Sequence, residues 1–72
     1  MKEVYIHGFK VRYEEDAWFG IEYFRRDLDR AEARVFFDQA KRKKFASFED
    51  DQDRDYTLSY NNDGSYNLSR RR

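Results

Sequence analysis

The densest group of potential metal ligands in this chain is an acidic run in its second half. Asp51, Asp53 and Asp55 stand at alternate positions, as the first carboxylates of an EF-hand calcium loop do. That loop next requires a glycine and later a glutamate, but Tyr56 and Asn62 occupy those two positions. The spacing therefore does not predict a calcium site, and we interpret the whole acidic run, residues 49–55, as a solvated acidic loop.

Other residues that commonly carry catalysis are scarce. His7 is the one histidine, and the absence of cysteine excludes a disulfide and a cysteine-based zinc or redox site. A general base needs a partner group, and the sequence names none for His7, so we expect it in a turn beside Gly8. The isolated glycines form neither a phosphate loop nor a serine-hydrolase elbow. We therefore expect a non-enzyme with no metal, no cofactor and no small-molecule substrate.

Basic residues at helical spacing form the next candidate site. Arg26, Arg30 and Arg34 stand four residues apart and Lys41 falls on the same side, with Tyr23 and Phe37 beside them. Arginines next to aromatic rings can hold phosphates and stack bases. A nucleic-acid-binding accessory protein is therefore one hypothesis, and its candidate residues are Arg26, Arg30, Arg34, Lys41, Arg70, Arg71 and Arg72.

The charge balance argues against that hypothesis. The chain has 15 basic and 15 acidic residues, whereas most nucleic-acid-binding domains of this size are clearly basic. Asp27 and Asp38 interrupt the basic face, and pairs such as Arg34 with Asp38 would explain the same residues as a solvated helix surface. Nucleic-acid binding is therefore the alternative reading.

Aromatic content favours a protein partner. Phe, Tyr and Trp make up 19% of the residues, more than a small core is expected to hold, and exposed aromatics are enriched in protein interfaces. Trp18, Phe19 and Phe37 are the candidate contact residues, together with the acidic loop. We hypothesise a non-catalytic protein-interaction module whose partner is another protein or a second copy. Its small size would also suit a phage or mobile-element accessory protein.

The chain has 72 residues, and its composition predicts one small domain spanning residues 1–72, with residues 70–72 frayed. No apolar run is long enough to cross a bilayer, and the N-terminus has no signal-peptide core. We therefore expect a cytoplasmic protein that does not contact a membrane.

The last third of the chain predicts a β-hairpin. Large residues alternate with small polar ones, which places Tyr60 opposite Tyr66 and Leu58 opposite Leu68. Residues 62–64 then form a three-residue loop whose last position, Gly64, takes a left-handed conformation. The other face of this hairpin is small and polar, and such a face or a sheet edge can accept another chain.

The first residues predict a second hairpin. The alternation of apolar residues changes parity at His7-Gly8, as a two-residue turn requires. This register pairs Ile6 with Phe9 and Val4 with Val11. On the other face it pairs Tyr5 with Lys10 and places Glu3 opposite Arg12.

Between the hairpins the period is helical. Ile21, Phe24, Leu28, Ala31 and Val35 form one predicted apolar stripe, and a second apolar face carries Ala33, Phe36, Phe37 and Ala40. Asp29 and Glu32 resemble a capping box, and Asp27 is another candidate cap. We therefore expect either a break between Arg25 and Asp29 or one long strained helix.

Residues 45–49 either extend the helix or form a short strand, and the acidic loop after them favours the strand. The predicted fold is α+β, a small antiparallel sheet in the order ββ-α-βββ, packed on one main helix that is either broken near Asp27 or continuous.

Overall fold

A computed structural model of the chain describes residues 1–71. It has the predicted α+β class, with two helical segments between a β-hairpin and a three-stranded meander. A 3₁₀ turn (Glu15–Ala17) leads into the first helix, and a π-helical turn (Tyr23–Asp27) follows that helix. The strands are β1 (Lys2–Ile6), β2 (Phe9–Tyr13), β3 (Phe45–Glu49), β4 (Asp55–Tyr60) and β5 (Tyr66–Arg70), and the helices are α1 (Trp18–Glu22) and α2 (Arg30–Lys43).

The five strands form one sheet in the order β1-β2-β5-β4-β3. All neighbours are antiparallel except β2 and β5, which pair in parallel at the centre. The sheet is therefore mixed, whereas the sequence predicted an antiparallel one. The difference arises because β5 joins the meander to the N-terminal hairpin, a long-range pairing that local periodicity does not specify.

Both predicted hairpins are confirmed in register. Ile6 pairs with Phe9 across a turn in which His7 and Gly8 have φ of 51° and 89°. In the second hairpin Tyr60 pairs with Tyr66, and the backbone N–H of Asn61 donates to the Ser65 carbonyl at 2.8 Å. The loop between them ends at Gly64, whose φ of 91° is the left-handed conformation that glycine permits.

Of the two expected alternatives, a break between Arg25 and Asp29 or one long strained helix, the structure has the break, between α1 and α2. Leu28 is extended, with φ of −106° and ψ of 134°, and Asp29 begins α2 as its N-cap. The backbone N–H of Glu32 donates to Asp29 Oδ1 at 2.8 Å, and the backbone N–H of Asp29 donates to Glu32 Oε1 at 3.0 Å. This reciprocal capping box satisfies two N–H groups that would otherwise lack partners at the start of the helix.

The single apolar stripe predicted from Ile21 to Val35 is wrong. Ile21 and Phe24 are buried, but Ala31 is exposed and Val35 is 63% exposed. The extended residues before α2 change the helical phase, so the spacing of three and four does not continue across the break. The second apolar face of α2 carries its buried residues, and these are Ala33, Phe37 and Ala40.

The core lies between the helices and one face of the sheet. Of the aromatic side chains, six are buried and four are half-buried within this cluster. Phe24 is at its centre, with ring centroids 4.6 Å from Phe48 and 5.4 Å from Phe37. The core therefore holds ten of the fourteen aromatic side chains, and four remain at the surface.

The described end of the chain lies along β4, and the expected fraying of residues 70–72 stays a prediction. Arg70 is the last residue of β5 and pairs with Tyr56, and the backbone N–H of Arg71 donates to the Asp55 carbonyl at 2.8 Å. Arg72 lies outside the described residues. Within residues 1–71, neither helix has the length and apolar character required to cross a membrane.

Candidate interaction surfaces

Two adjacent aromatic residues, Trp18 and Phe19, are exposed at the start of α1. The next residues, Gly20 and Ile21, are fully buried against the sheet. Because α1 presses its Gly20–Ile21 side onto the core, the two preceding side chains remain accessible, with 38% and 52% of their surfaces exposed. We call Trp18 and Phe19 the aromatic pair.

Gly20 makes the close approach of α1 to the sheet possible. A Cβ built on Gly20 would lie 2.9 Å from two ring carbons of Tyr56 and 3.0 Å from Leu68 Cδ2. Real Cβ atoms are essentially never found under 3.0 Å from another heavy atom, so only glycine fits here without a shift. Gly20 therefore sets the depth at which α1 lies and, through it, the position of the aromatic pair.

Trp18 lines a shallow recess of about 340 Å³. Its ring centroid lies 5.9 Å from that of Tyr13, and Lys2 and Glu15 complete the lining. Lys2 Nζ lies 3.1 Å from Glu15 Oε1, and the hydrogen bond to Glu15 raises the pKa of the Lys2 ammonium. The recess therefore offers an aromatic surface beside an exposed ion pair, which suits a mixed apolar and polar side chain of a partner.

Phe19 is oriented by a cation–π contact. The guanidinium carbon of Arg54 lies 4.1 Å from the centroid of the Phe19 ring, and Arg54 Nε donates to Asp50 Oδ2 at 2.8 Å. Since Asp50 holds Arg54, the arginine is a fixed neighbour of Phe19. Tryptophan and arginine are among the residue types that dominate binding energy in protein interfaces.

Asp50 departs from the predicted solvated loop. Its side chain is 1% exposed, and its carboxylate accepts hydrogen bonds from the backbone N–H groups of Gln52 and Arg54 and from the Tyr56 hydroxyl. Burial alone would raise the pKa of Asp50, but these hydrogen bonds together with the one from the Arg54 side chain outweigh it. The pKa therefore lies below its ordinary value. Ala46, Phe48 and Asp50 alternate along the chain, so Asp50 continues the inward face of β3 once residues 45–49 are known to be a strand.

The remaining acidic residues of the loop are exposed and repel one another. Asp55 and then Asp53 raise the pKa of Glu49, which lies opposite Asp55 in the sheet. Across residues 1–71, no three His, Asp or Glu side chains are grouped closely enough to hold a metal ion. His7 stands in its predicted turn, with Nε2 3.2 Å from the Phe24 carbonyl oxygen.

Phe37, the third candidate contact residue, is not at the surface. It is fully buried on α2, stacked on Phe9 with ring centroids 4.3 Å apart and edge-on to Tyr66 at 4.8 Å. It cannot contact a partner directly, which corrects its place in the candidate surface. The error follows from the phase change at the break, which turns the second face of α2 toward the sheet.

Three of the predicted basic residues share one groove along α2. Arg30, Arg34 and Lys41 line a recess of about 350 Å³. Its remaining lining residues are Phe9, Tyr66 and Asp38. Asp38 partly neutralises the groove because Asp38 Oδ2 lies 3.6 Å from Arg34 Nε, which is the predicted helical pair. We call this recess the basic groove.

The other predicted basic residues lie elsewhere. Arg26 precedes the helical break and its Nε pairs with Glu22 Oε2 at 2.7 Å. Tyr66 begins β5 at the basic groove, whereas Arg70 ends the same strand about 13 Å away. The backbone N–H of Arg71 donates a hydrogen bond to the carbonyl oxygen of Asp55, at the end of the acidic loop. Phe9 is a groove residue that the sequence alone does not indicate, because only the pairing of β2 with β5 places it beside α2.

Nothing matches this chain in comparisons with protein-family models, with curated proteins or with solved structures. Its fold and surfaces define it as a small α+β protein with a five-stranded mixed sheet and helices on one face of that sheet.

Proposed function

We propose that this chain is a non-catalytic protein-binding module whose contact surface is centred on the aromatic pair. The observation that carries the proposal is the exposure of Trp18 and Phe19 at consecutive positions of α1, in a chain whose core takes in ten other aromatic side chains. Adjacent exposed aromatics beside an oriented arginine are typical of the centre of a protein interface.

The rigidity of this surface supports the proposal. Arg54 is held by Asp50, and α1 is held against Tyr56 at Gly20, so both sides of the aromatic pair are positioned before a partner arrives. A surface ordered in advance loses less conformational entropy on binding than a flexible one. The recess beside Trp18 adds depth for one inserted side chain of the partner.

The proposal is tested by quantitative capture from an extract of the organism that encodes the chain. Immobilised wild-type protein is compared with Trp18→Ala and Phe19→Ala, and Val35→Ala serves as the control because Val35 is exposed on α2 away from the pair. We expect one partner to be retained by the wild type and the control, and its recovery to fall at least tenfold with either aromatic variant.

A partner recovered equally by all four proteins would overturn the assignment of the aromatic pair. Trp18 is the one tryptophan, so the captured partner is then titrated against the wild type and its fluorescence followed. Binding at the pair changes the emission of Trp18, whereas an unchanged emission at saturation contradicts the proposal.

The basic groove supports nucleic-acid binding as a second candidate function. It is favoured by the convergence of Arg30, Arg34 and Lys41 beside the aromatic rings of Phe9 and Tyr66. Anisotropy of labelled mixed-sequence DNA and RNA, titrated at about 50 and 200 mM salt, tests it. With about three phosphate contacts, affinity should fall about tenfold or more between the two salts.

Charge-reversal variants show whether the basic groove is the binding site in that experiment. Arg30→Glu and Arg34→Glu should each weaken binding, while Arg70→Glu, at the far end of β5, serves as the control. No binding at about 50 mM salt excludes this second function, and equal weakening by all three variants assigns the binding to overall charge instead of the groove.

A further inference from the structure

The free edge of β3 presents an ordered row of backbone hydrogen-bonding groups. Lys44 pairs with Tyr60 and Asp50 with Arg54 through backbone hydrogen bonds of 3.0 Å each. Because hydrogen-bonded pairs alternate along an antiparallel ladder, Ala46 and Phe48 bond inward to β4. The N–H and C=O groups of Phe45, Ser47 and Glu49 therefore point outward, and β3 is the last strand of the sheet within residues 1–71.

This edge has few of the features that prevent the edge strands of two molecules from pairing. β3 carries no proline, and none of its five residues is a lysine or an arginine. Phe45, Ser47 and Glu49 all have exposed side chains, with 56% of Phe45 accessible. A further strand can therefore add to β3 without displacing any element of the described fold.

The charges on either side of β3 favour a second copy of this chain as the partner strand. Residues 41–44 before the strand are all basic, and residues 49–55, from the last residue of the strand onward, carry five acids and one arginine. In an antiparallel pair of two β3 strands centred on Ser47, Phe45 of one copy lies opposite Glu49 of the other, which brings the end of α2 in one copy near the loop after β3 in the other. The basic segment of each copy then faces the acidic segment of its partner at both ends.

We propose that the chain self-associates through antiparallel pairing of β3 with β3 of a second copy, forming a two-fold symmetric dimer with a continuous ten-stranded sheet. The pairing supplies about six interchain hydrogen bonds, since each outward residue donates one and accepts one. The interface is isologous, so it closes at two copies. The proposal concerns a surface distinct from the aromatic pair and does not depend on the proposed function.

The raised pKa of Glu49 agrees with this arrangement. Asp55 and Asp53 of its own chain repel the Glu49 carboxylate in the monomer. The lysines of a paired copy would offset that repulsion. The other edge strand, β1, lacks such a charge reversal: Lys2 and Glu3 stand together at its start and no acidic residue lies within three positions after its end.

Sedimentation equilibrium from about 10 µM to 1 mM protein tests the proposal, because edge pairing alone is expected to give a weak interface. We expect the mass to rise from 8.9 kDa toward twice that value, and the association to weaken at high salt. A mass that stays at the monomer value over this range overturns the proposal.

A proline substitution at an outward-pointing residue of each edge strand shows which strand forms the dimer interface. Ser47→Pro removes one outward N–H and leaves the bonds to β4 intact, so the dissociation constant should rise at least tenfold. Tyr5→Pro is the matched control on β1, where Ile6 pairs with Phe9 across the two-residue turn and Tyr5 therefore points outward. Equal effects of the two prolines, or a larger effect of Tyr5→Pro, contradict the assignment to β3.

A charge variant separates association from folding. Glu49→Lys relieves repulsion within the monomer, so its thermal unfolding temperature should rise while its dissociation constant increases several-fold. Loss of folding cannot produce this combination. Tighter or unchanged association of Glu49→Lys overturns the charge argument, and Trp18→Ala should leave the dissociation constant unchanged.

Discussion

The hydroxyl of Tyr56 donates a hydrogen bond to Asp50 Oδ2 at 3.0 Å, inside the core and next to the acidic loop. Tyr56 is fully buried, and the same carboxylate oxygen also accepts a hydrogen bond from Arg54 Nε at 2.8 Å. This contact ties the loop between β3 and β4 to the floor of the core. Through Arg54, it also fixes the charged neighbour of Phe19.

Asp50→Ala should lower the free energy of unfolding by about 2–3 kcal/mol, because it leaves the buried Tyr56 hydroxyl and the Arg54 guanidinium without their acceptor. Tyr56→Phe removes one hydrogen bond and should cost about 1 kcal/mol. Urea unfolding measures both, with Asp51→Ala in the same loop as a control that stays within about 0.5 kcal/mol of wild type. Equal stability of Asp50→Ala and its control would contradict the structural role of Asp50.

The folding stability that Asp50 provides, relative to an asparagine at the same position, should depend on pH. The pKa of Asp50 is lowered in the folded chain from its ordinary value of 3.8, so the folded state favours the ionised form. Its contribution is therefore complete above the unfolded pKa and is lost as the pH falls through the folded pKa. We expect the stability difference between wild type and Asp50→Asn to be constant from about pH 5 to 7 and to shrink below about pH 4. A difference independent of pH down to about 2 would argue against an ionised Asp50.

Glu49→Gln should have the opposite pH dependence. The pKa of Glu49 is raised above 4.5 by Asp55 and Asp53, so the folded state disfavours the ionised form and loses stability as the pH rises through that pKa. The variant should therefore have a higher unfolding temperature than wild type at pH 7. The two proteins should become equal below about pH 4, and greater stability of wild type at pH 7 would contradict the repulsion.

Gly20→Ala should destabilise the chain by about 1–3 kcal/mol although alanine is the better helix former by about 1 kcal/mol. The added methyl group would meet the Tyr56 ring at 2.9 Å, inside a packed core. Thermal unfolding of Gly20→Ala, of Tyr56→Leu and of the double variant separates the two effects, because the cost of Gly20→Ala should be smaller when Tyr56 is replaced by the smaller leucine. A stabilised single variant would show that α1 moves away from the sheet without cost.

Asp29→Ala should cost about 1 kcal/mol of stability by removing the N-cap of α2. Asp27→Ala is the control, because the capping box is formed by Asp29 and Glu32. Far-ultraviolet circular dichroism during urea unfolding measures both variants. A greater loss from Asp27→Ala would show that the helix begins before the extended Leu28.

Much of the local structure was readable because each signal acts over a few residues. The parity change at His7-Gly8 and the position of Gly64 determined the hairpin registers, and Asp29 with Glu32 predicted the start of α2. Strand parity and capping chemistry depend on neighbouring residues alone, so they do not need the rest of the fold.

The candidate site was less predictable because helix phase and strand order decide which side chains are accessible. Trp18 and Phe19 are exposed as expected, but Phe37 is buried since the break before Asp29 rotates the face that α2 presents. The basic residues separate for a related reason, with Arg26 on the earlier helical segment.

The two hairpins and the capping signal at Asp29 could be predicted from the sequence, whereas the break before α2 and the strand at residues 45–49 were each one of two alternatives that it left open. The tertiary structure alone decided that β5 pairs with β2, that Gly20 lies against Tyr56 and that β3 has a free edge. Pairings between distant segments depend on how whole surfaces pack together. The periodicity of one segment shows which of its faces is apolar, but it does not specify the segment that this face packs against.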